Sequence, residues 1–324
     1  MNDRHAPDLA AATSLDELYP ALAARCLTAG WHKARPSLWP SPRGAFHPRH
    51  WRYSEARLAM DLAGEWIGTE LAERRNLLTF NPVGDNDYAT ARTLVSAYQM
   101  IKPDEHARAH RHTPNALRVV LDAGPGLYTV VDGARLPMCR GDVLLTPNWT
   151  WHSHYNEGPD RAYWIDMLDV PLVHLLEPMF FEPHPDEYQP TTSTPEVSPY
   201  RFTQAEAEAR LALLPPRADG SRTLVLDSQT HMPTMELSFS SLCAGGALAL
   251  PRSTVNRIFA VSEGEGRAQI GELSFEWARG DLFVVPSWTA CRIEARGATL
   301  LFQASDEPVL RALGFHREES AANT

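Results

Sequence analysis

Three histidines in two short strings hold the chemistry this chain can do. His110 and His112 flank Arg111, and His152 lies in the string PNWTWHSH that runs from Pro147 to His154. Side chains alternate along a β-strand, so an H-x-H pair puts both imidazoles on one face. A third imidazole from another strand then closes three nitrogens around one cation. That donor set suits iron, zinc, copper or nickel and leaves room for other ligands. His154 shares the face of His152, so it points into the same space and is a candidate proton shuttle. Arg118 shares parity with His110 and His112 and lies in the apolar run ALRVVL. A guanidinium in such a run needs an anion, and a carboxylate matches its planar fork. Asp166, set among Trp164, Ile165 and Met167, needs hydrogen-bond partners and is expected to orient a histidine.

The chain has 13 histidines, so an H-x-H alone carries little weight. His47, His50, His106, His174, His184, His231 and His316 are read as structural. Trp149 and Trp151 read as barrel wall, and Asp122, Asp132 and Asp142 as turn residues.

The elements that must position these groups change character along the chain. Residues 14–28 and 54–75 read as helices, with Leu15, Leu18 and Leu22, then Leu58, Leu62 and Trp66, at helical spacing. Residues 31–53 between them, rich in Pro and Trp, read as an extended arm. From Leu77 onward short apolar runs cut by Gly, Pro and Asp (TLVSAYQMI, ALRVVL, LYTVV, DVLLTP, AYWIDML) predict a compact antiparallel β-fold. The expected division is an N-terminal helical segment and arm over 1–75, a first β-domain over 76–172, a proline-rich linker with one helix over 173–222, and a second β-domain over 223–324.

The two β-blocks repeat one another. Gly124 aligns with Gly264 at an offset of 140 residues, and Gly141-Asp142 with Gly280-Asp281 at 139. A period this long means a duplicated domain. At these offsets His110, His112 and Arg118 become Leu250, Arg252 and Ile258, and His152 becomes Cys291, so the second repeat keeps strands and turns but no ligand.

Gly141, Pro147, His152 and Asn156 fit the second motif of the cupin superfamily, G-x5-P-x4-H-x3-N, and His110 with His112 fits the start of the first, without its usual glutamate. The chain therefore resembles a bicupin: mainly β, two tandem jelly-roll (double-stranded β-helix) domains behind an N-terminal helical segment. Within the superfamily it resembles the gentisate and salicylate 1,2-dioxygenases. The strings ERRNLLTFNP from Glu73, HRHTPNALR from His110, TPNWTWHSH from Thr146 and WIDMLDVPL from Trp164 carry that likeness. The segment KPDEHAR from Lys102 departs from the P-G-E-x-A form expected there.

The resemblance implies Fe(II) held by His110, His112 and His152, and O2 as co-substrate. It implies a 2-hydroxybenzoate cleaved between its carboxyl-bearing and hydroxyl-bearing carbons. Gln99, Arg74 and Arg75 become substrate contacts beside Arg118, with His154 and Asp166 catalytic, and a homotetramer is the expected assembly. A 1-hydroxy-2-naphthoate dioxygenase, a metal-dependent isomerase and a non-enzymatic metal-containing sensor cupin are the alternatives.

Composition narrows the rest. A net charge of −10 leaves no basic footprint for nucleic acid. No apolar run is long enough to span a bilayer, and the N-terminus has no signal-peptide core. Four scattered cysteines without a C-x-x-C argue against a disulfide framework or thiolate zinc site and point to the cytoplasm.

Overall fold

The computed structural model describes residues 8–32 and 38–319, so residues 33–37 of the expected arm lie outside the described residues. The chain divides into two compact units, Met1–Arg43 and Gly44–Thr324. In the first, helix α1 (Leu15–Ala23) starts where Ser14 Oγ accepts the Glu17 amide. It is shorter than the expected 14–28, because the chain turns left-handed at Cys26 (φ 57°). Among the described residues no helix is long and apolar enough to cross a membrane.

The second unit is the duplicated β-structure. Its first repeat runs β1 (Arg49–Trp51), α2 (Tyr53–Trp66), β2 (Arg75–Leu78), β3 (Val95–Ile101), β4 (His106–His112), β5 (Ala116–Asp122), β6 (Leu127–Val131), β7 (Ala134–Pro137), β8 (Val143–Thr146), β9 (His152–Asn156), β10 (Ala162–Leu168) and α3 (Val170–Leu176). After β11 (Phe181–Pro183) the order recurs as β12 (Arg201–Phe202), α4 (Gln204–Leu213), β13 (Arg222–Val225), β14 (Glu236–Leu242), β15 (Ala247–Leu250), β16 (Arg257–Glu263), β17 (Glu265–Ile270), β18 (Leu273–Ala278), β19 (Leu282–Val285), β20 (Cys291–Ala295), β21 (Thr299–Ser305) and α5 (Glu307–Ala312).

Each repeat is a pair of antiparallel sheets: β12-β8-β5-β10-β3-β2 with β11-β4-β9-β6-β7, and β1-β19-β16-β21-β14-β13 with β15-β20-β17-β18. The large sheets pack back to back. Leu117, Val119 and Leu121 of β5 meet Ile258 and Ala260 of β16 in one core that also takes in Phe239 and Phe302. The other face of β5 turns inward, where Val120 packs with Leu144 and Trp164 inside the first barrel.

The repeats exchange strands. The N-terminal β1 pairs with β19 of the second repeat, and β12, which opens the second repeat, pairs with β8 of the first. The Gly-Asp turns anchor both exchanges. Gly141 and Gly280 have φ near 81° and 86°, and a Cβ on Gly280 would lie 2.8 Å from that of Tyr53, so only glycine fits. Asp142 accepts hydrogen bonds from Arg201 (2.6 Å) and the Gln204 amide, while Asp281 accepts from His50 (2.8 Å) and the Tyr53 amide. Each aspartate thus holds the strand–helix start of the opposite repeat. The stretch 173–222, expected as a linker with one helix, instead supplies β11 and β12 to the first repeat's sheets, and 1–75 supplies β1 to the second's.

Helix α2 corrects a second expectation. It ends at Trp66, where Ile67 is extended, rather than at residue 75. It buries Tyr53, Met60 and Gly64, while Leu58, Leu62 and Trp66 face outward. The face is chosen by closeness of approach: a Cβ on Gly64 would stand 2.7 Å from Met100 Cε, so the small side of the helix sits on the sheet.

Candidate metal centre

Strand β4 carries His110 and His112, and β9 carries His152 directly across from His110 in the antiparallel register. The candidate ligand nitrogens of the three rings lie within 4.8 Å of one another. The ring centroids are 4.4 Å apart for His110 and His152, and 4.9 Å for His112 and His152. In each ring Nδ1 faces a backbone carbonyl: Arg108 at 3.0 Å, Pro114 at 2.8 Å and Thr150 at 2.9 Å. A carbonyl only accepts, so each Nδ1 carries the proton and each Nε2 presents a bare lone pair. His152 Nε2 is buried without a partner.

Burial, and after it the Arg74 charge, pushes His110 down to about 3. Burial also lowers His112, and it lowers His152 and His154 well below the ordinary imidazole range. Neutral imidazoles with converging, unprotonated Nε2 atoms are what a divalent cation requires, and little else would satisfy them in a buried place.

A polar chain runs beside the triad. Arg74, just ahead of β2, donates from Nε to Gln99 Oε1 (3.0 Å), and Gln99 Nε2 donates to Asp166 Oδ2 (2.8 Å). Asp166 Oδ1 accepts the Trp164 indole N–H at 2.8 Å and stands 3.5 Å from Arg118 Nε, an ion pair without a formed hydrogen bond. Arg118 Nη1 reaches Thr146 Oγ1 at 3.2 Å. Arg118 is fully buried, which pushes its pKa down to about 10, and it still carries its charge at neutral pH. The cluster holds two guanidiniums and one carboxylate, leaving one positive charge unmatched. His154 is buried near Trp164 (6.1 Å between centroids), and neither ring nitrogen has a partner.

Most expected site residues therefore come together, with adjustments. Arg118 does face the triad, although shared parity was the wrong reason. The chain turns at residues 113–115 and enters the other sheet, so β4 and β5 have no common alternation. Asp166 touches an arginine, an amide and an indole, and orients no histidine. Gln99 bonds Arg74 through Oε1 and Asp166 through Nε2, which positions Arg74 and leaves one amide N–H over. Arg75 turns away: its guanidinium is held by Glu105 and the Ile67 carbonyl. The second repeat's equivalent of Arg118 is also one residue off. Asn115 and Asn256 make the same paired hydrogen bonds to Asp169 and Asp306, which aligns Arg118 with Phe259, not Ile258.

The departure at the lip of the site is confined to one residue. Asp104 takes a positive φ (60°) where the expected form has glycine, and the turn is kept. Sequence reading missed Thr146, Trp164 and Phe181. The last sits on β11, opposite His112 in register and 5.2 Å from the His110 ring, and it is exposed at the mouth. Its signal was the Phe180-Phe181 pair bounded by proline, a strand-like mark inside a stretch that otherwise looks like a linker.

Tandem antiparallel barrels, with imidazoles converging, among the described residues, in the first alone, define a bicupin with a candidate metal centre. Residues 97–168 match the cupin domain family. A gentisate 1,2-dioxygenase from Streptomyces sp is 36% identical, covering 94% of each chain. A 5-aminosalicylate 1,2-dioxygenase from Comamonas sp is 33% identical over 96% of this chain and 91% of its own. Among solved structures, salicylate 1,2-dioxygenase from Pseudoaminobacter salicylatoxidans, as adducts with gentisate, superposes with a TM-score of 0.87 at 27% identity, over 97% of this chain and 95% of that one. The chain belongs to the bicupin family of gentisate and salicylate 1,2-dioxygenases.

Proposed function

We propose that this protein opens the ring of a 2-hydroxybenzoate (gentisate, salicylate or a ring-substituted salicylate) with Fe(II) and O2. Both oxygen atoms are inserted, and the bond between the carboxyl-bearing and hydroxyl-bearing carbons is cleaved. The observation that carries this reading is the meeting of three bare Nε2 atoms with a polar chain of net positive charge.

His110, His112 and His152 would hold the metal. Zinc suits the same donors but has no redox chemistry, which ring opening by O2 needs. Fe(II) bound there supplies open coordination positions and a path for electrons between the aromatic ring and O2. Arg74, half-buried and bonded only through Nε to Gln99, offers its two Nη groups to the substrate carboxylate. Arg118 adds positive charge behind it and is kept in place by Asp166 and Thr146. Gln99 and Asp166 fix the direction of both guanidiniums. His154 holds the hydroxyl proton of the substrate at a free ring nitrogen. Phe181 covers one side of the mouth with an apolar ring.

Oxygen uptake by ferrous-reconstituted protein tests this, run with gentisate, salicylate, 5-aminosalicylate and 1-hydroxy-2-naphthoate and with metal analysis of the protein. One O2 consumed per ring opened is expected with at least one substrate. No uptake with any of them leaves a binding protein as the better reading. A cytoplasmic homo-oligomer, tetrameric by family likeness, completes the proposal. The free state of all four cysteines fits a reducing compartment, and light scattering checks the assembly.

A further inference from the structure

Arg111, the middle residue of the H-x-H pair, points away from the triad and into a clasp. Its guanidinium lies 4.3 Å from the ring centroid of Trp149 and 4.5 Å from that of Trp151. It also donates from Nε and Nη2 to Glu182 Oε2, at 3.0 and 2.8 Å. The four residues belong to three segments. Arg111 lies between two candidate ligands on β4, the tryptophans immediately precede the third on β9, and Glu182 follows Phe181 on β11. The Trp149 amide donates to the His112 carbonyl at 2.9 Å, so backbone and side chains bridge the same gap.

A guanidinium set over two indole rings gains from both ring quadrupoles, and its planar fork can still meet a carboxylate. We propose that Arg111 is a positioning residue of the metal centre, and that the Arg111–Trp149–Trp151–Glu182 clasp sets the spacing of His110 and His112 against His152. The inference rests on the metal reading of the triad given above.

The second repeat supplies a comparison within the same chain. It retains Trp288 at the Trp149 position, with the same positive φ (62° against 59°), so that tryptophan belongs to the turn. The Trp288 amide donates to the Ser253 carbonyl as the Trp149 amide does to that of His112, so Ser253 stands for His112 and Arg252 for Arg111. Arg252 pairs with Glu319 at 3.2 Å as Arg111 does with Glu182, while Ala290 stands for Trp151. The arginine–carboxylate pair and the turn tryptophan persist there, and it is the Trp151 indole that is lost together with the ligands.

Titration of Co(II) into metal-free protein, followed by its visible absorption, tests the proposal without reference to turnover. Arg111→Ala and Trp151→Ala should each weaken the Kd about 10- to 100-fold, the usual cost of losing a group that orients a metal ligand. Trp151→Phe, which keeps a ring face, should stay close to the unaltered protein. Arg111→Lys, which keeps the charge near Glu182 but loses the plane, should fall between. Arg135 is a stacked arginine elsewhere on the same sheet, 3.7 Å from the Tyr128 centroid and paired with Glu157, and Arg135→Ala should change the Kd less than about 2-fold. Equal weakening by Arg135→Ala, or unchanged affinity in both Arg111→Ala and Trp151→Ala, overturns the clasp. His110→Ala separates the two readings: if it binds Co(II) as the parent does, the triad assignment itself has failed.

Discussion

In the first repeat β4 and β9 set His110 opposite His152; in the second, β15 and β20 set Leu250 opposite Cys291 at the same place in the barrel. Deeper inside, Arg118 faces Asp166 across β5 and β10, while Phe259 faces Gln303 across β16 and β21. Leu144 is replaced by Phe283, whose ring stacks on Phe259 at 5.2 Å, and His154 by Ile293. Phe259, Phe283, Trp277, Ile293 and Leu301 form a closed apolar core, so the space that holds polar groups in one barrel is filled in the other. Features common to both, such as the Asn–Asp braces and the left-handed tryptophans, are thereby identified as scaffold. A handful of inward side chains on a shared backbone makes the difference between a site and a core.

The largest effect should come from moving the first repeat toward the second. His110→Ala or His152→Cys should abolish metal binding and, on the proposed function, lower oxygen uptake at least about 10³-fold, as expected when the group that supplies the chemistry is lost. Metal content and an oxygen electrode read both. The reverse graft, Leu250→His with Ser253→His (the structural counterpart of His112) and Cys291→His, should still yield one metal per chain, because the aromatic filling leaves a second ion no room. Two metals per chain would break the comparison. Phe259→Ala should cost about 3–5 kcal/mol in denaturant unfolding, yet leave turnover per folded molecule unchanged.

Smaller effects sharpen the contrast. Arg74→Ala should raise KM about 10- to 100-fold, the worth of a charge-assisted hydrogen bond to a carboxylate, and leave iron content intact. Acid should act on the first repeat more than on the second. Burial holds the four inward histidines below their unfolded value near 6.5, with His110 at about 3. As pH falls below 6.5 the unfolded chain takes up protons that the folded, metal-free chain does not. Stability should then drop toward pH 3 by up to about 1.4 kcal/mol per pH unit for each histidine. Hydrogen exchange of metal-free protein at pH 7 and pH 5 should show β4 and β9 losing protection while β15 and β20 keep theirs; a uniform loss would speak against it. The smallest change, Asp104→Gly, should stabilise by about 0.5–1 kcal/mol, because glycine takes the positive φ without strain.

What the chain discloses in its residues is uneven, for physical reasons. The triad was legible because two ligands are neighbours on one strand and the third follows a marked Gly-Asp turn. The duplication was legible for the same reason, since turns keep their glycines. Helix α2 showed an apolar spacing, but periodicity does not say which side meets the sheet, and Gly64 decided that through closeness to Met100. Arg118 was reached by an alternation that the turn at 113–115 interrupts, and a one-residue slip put Ile258 in place of Phe259 across the pleat. The ties among Arg74, Gln99 and Asp166, and Phe181 on β11, join segments far apart in the chain, and no local pattern announces them.

The strand exchange bears on how such a chain can change over generations. Each half is incomplete by itself: β1 is an edge strand only for the second repeat, and β12 only for the first. A gene cut between the repeats would give two fragments, each with an open sheet edge and a stray strand, and neither fit to fold alone. The barrel without the triad therefore cannot be discarded without opening a sheet edge in the other. Its interior can change among apolar residues without touching the triad, whereas Gly280, Asp281 and the outer edge of β19 hold the strand and helix on which the other half is built.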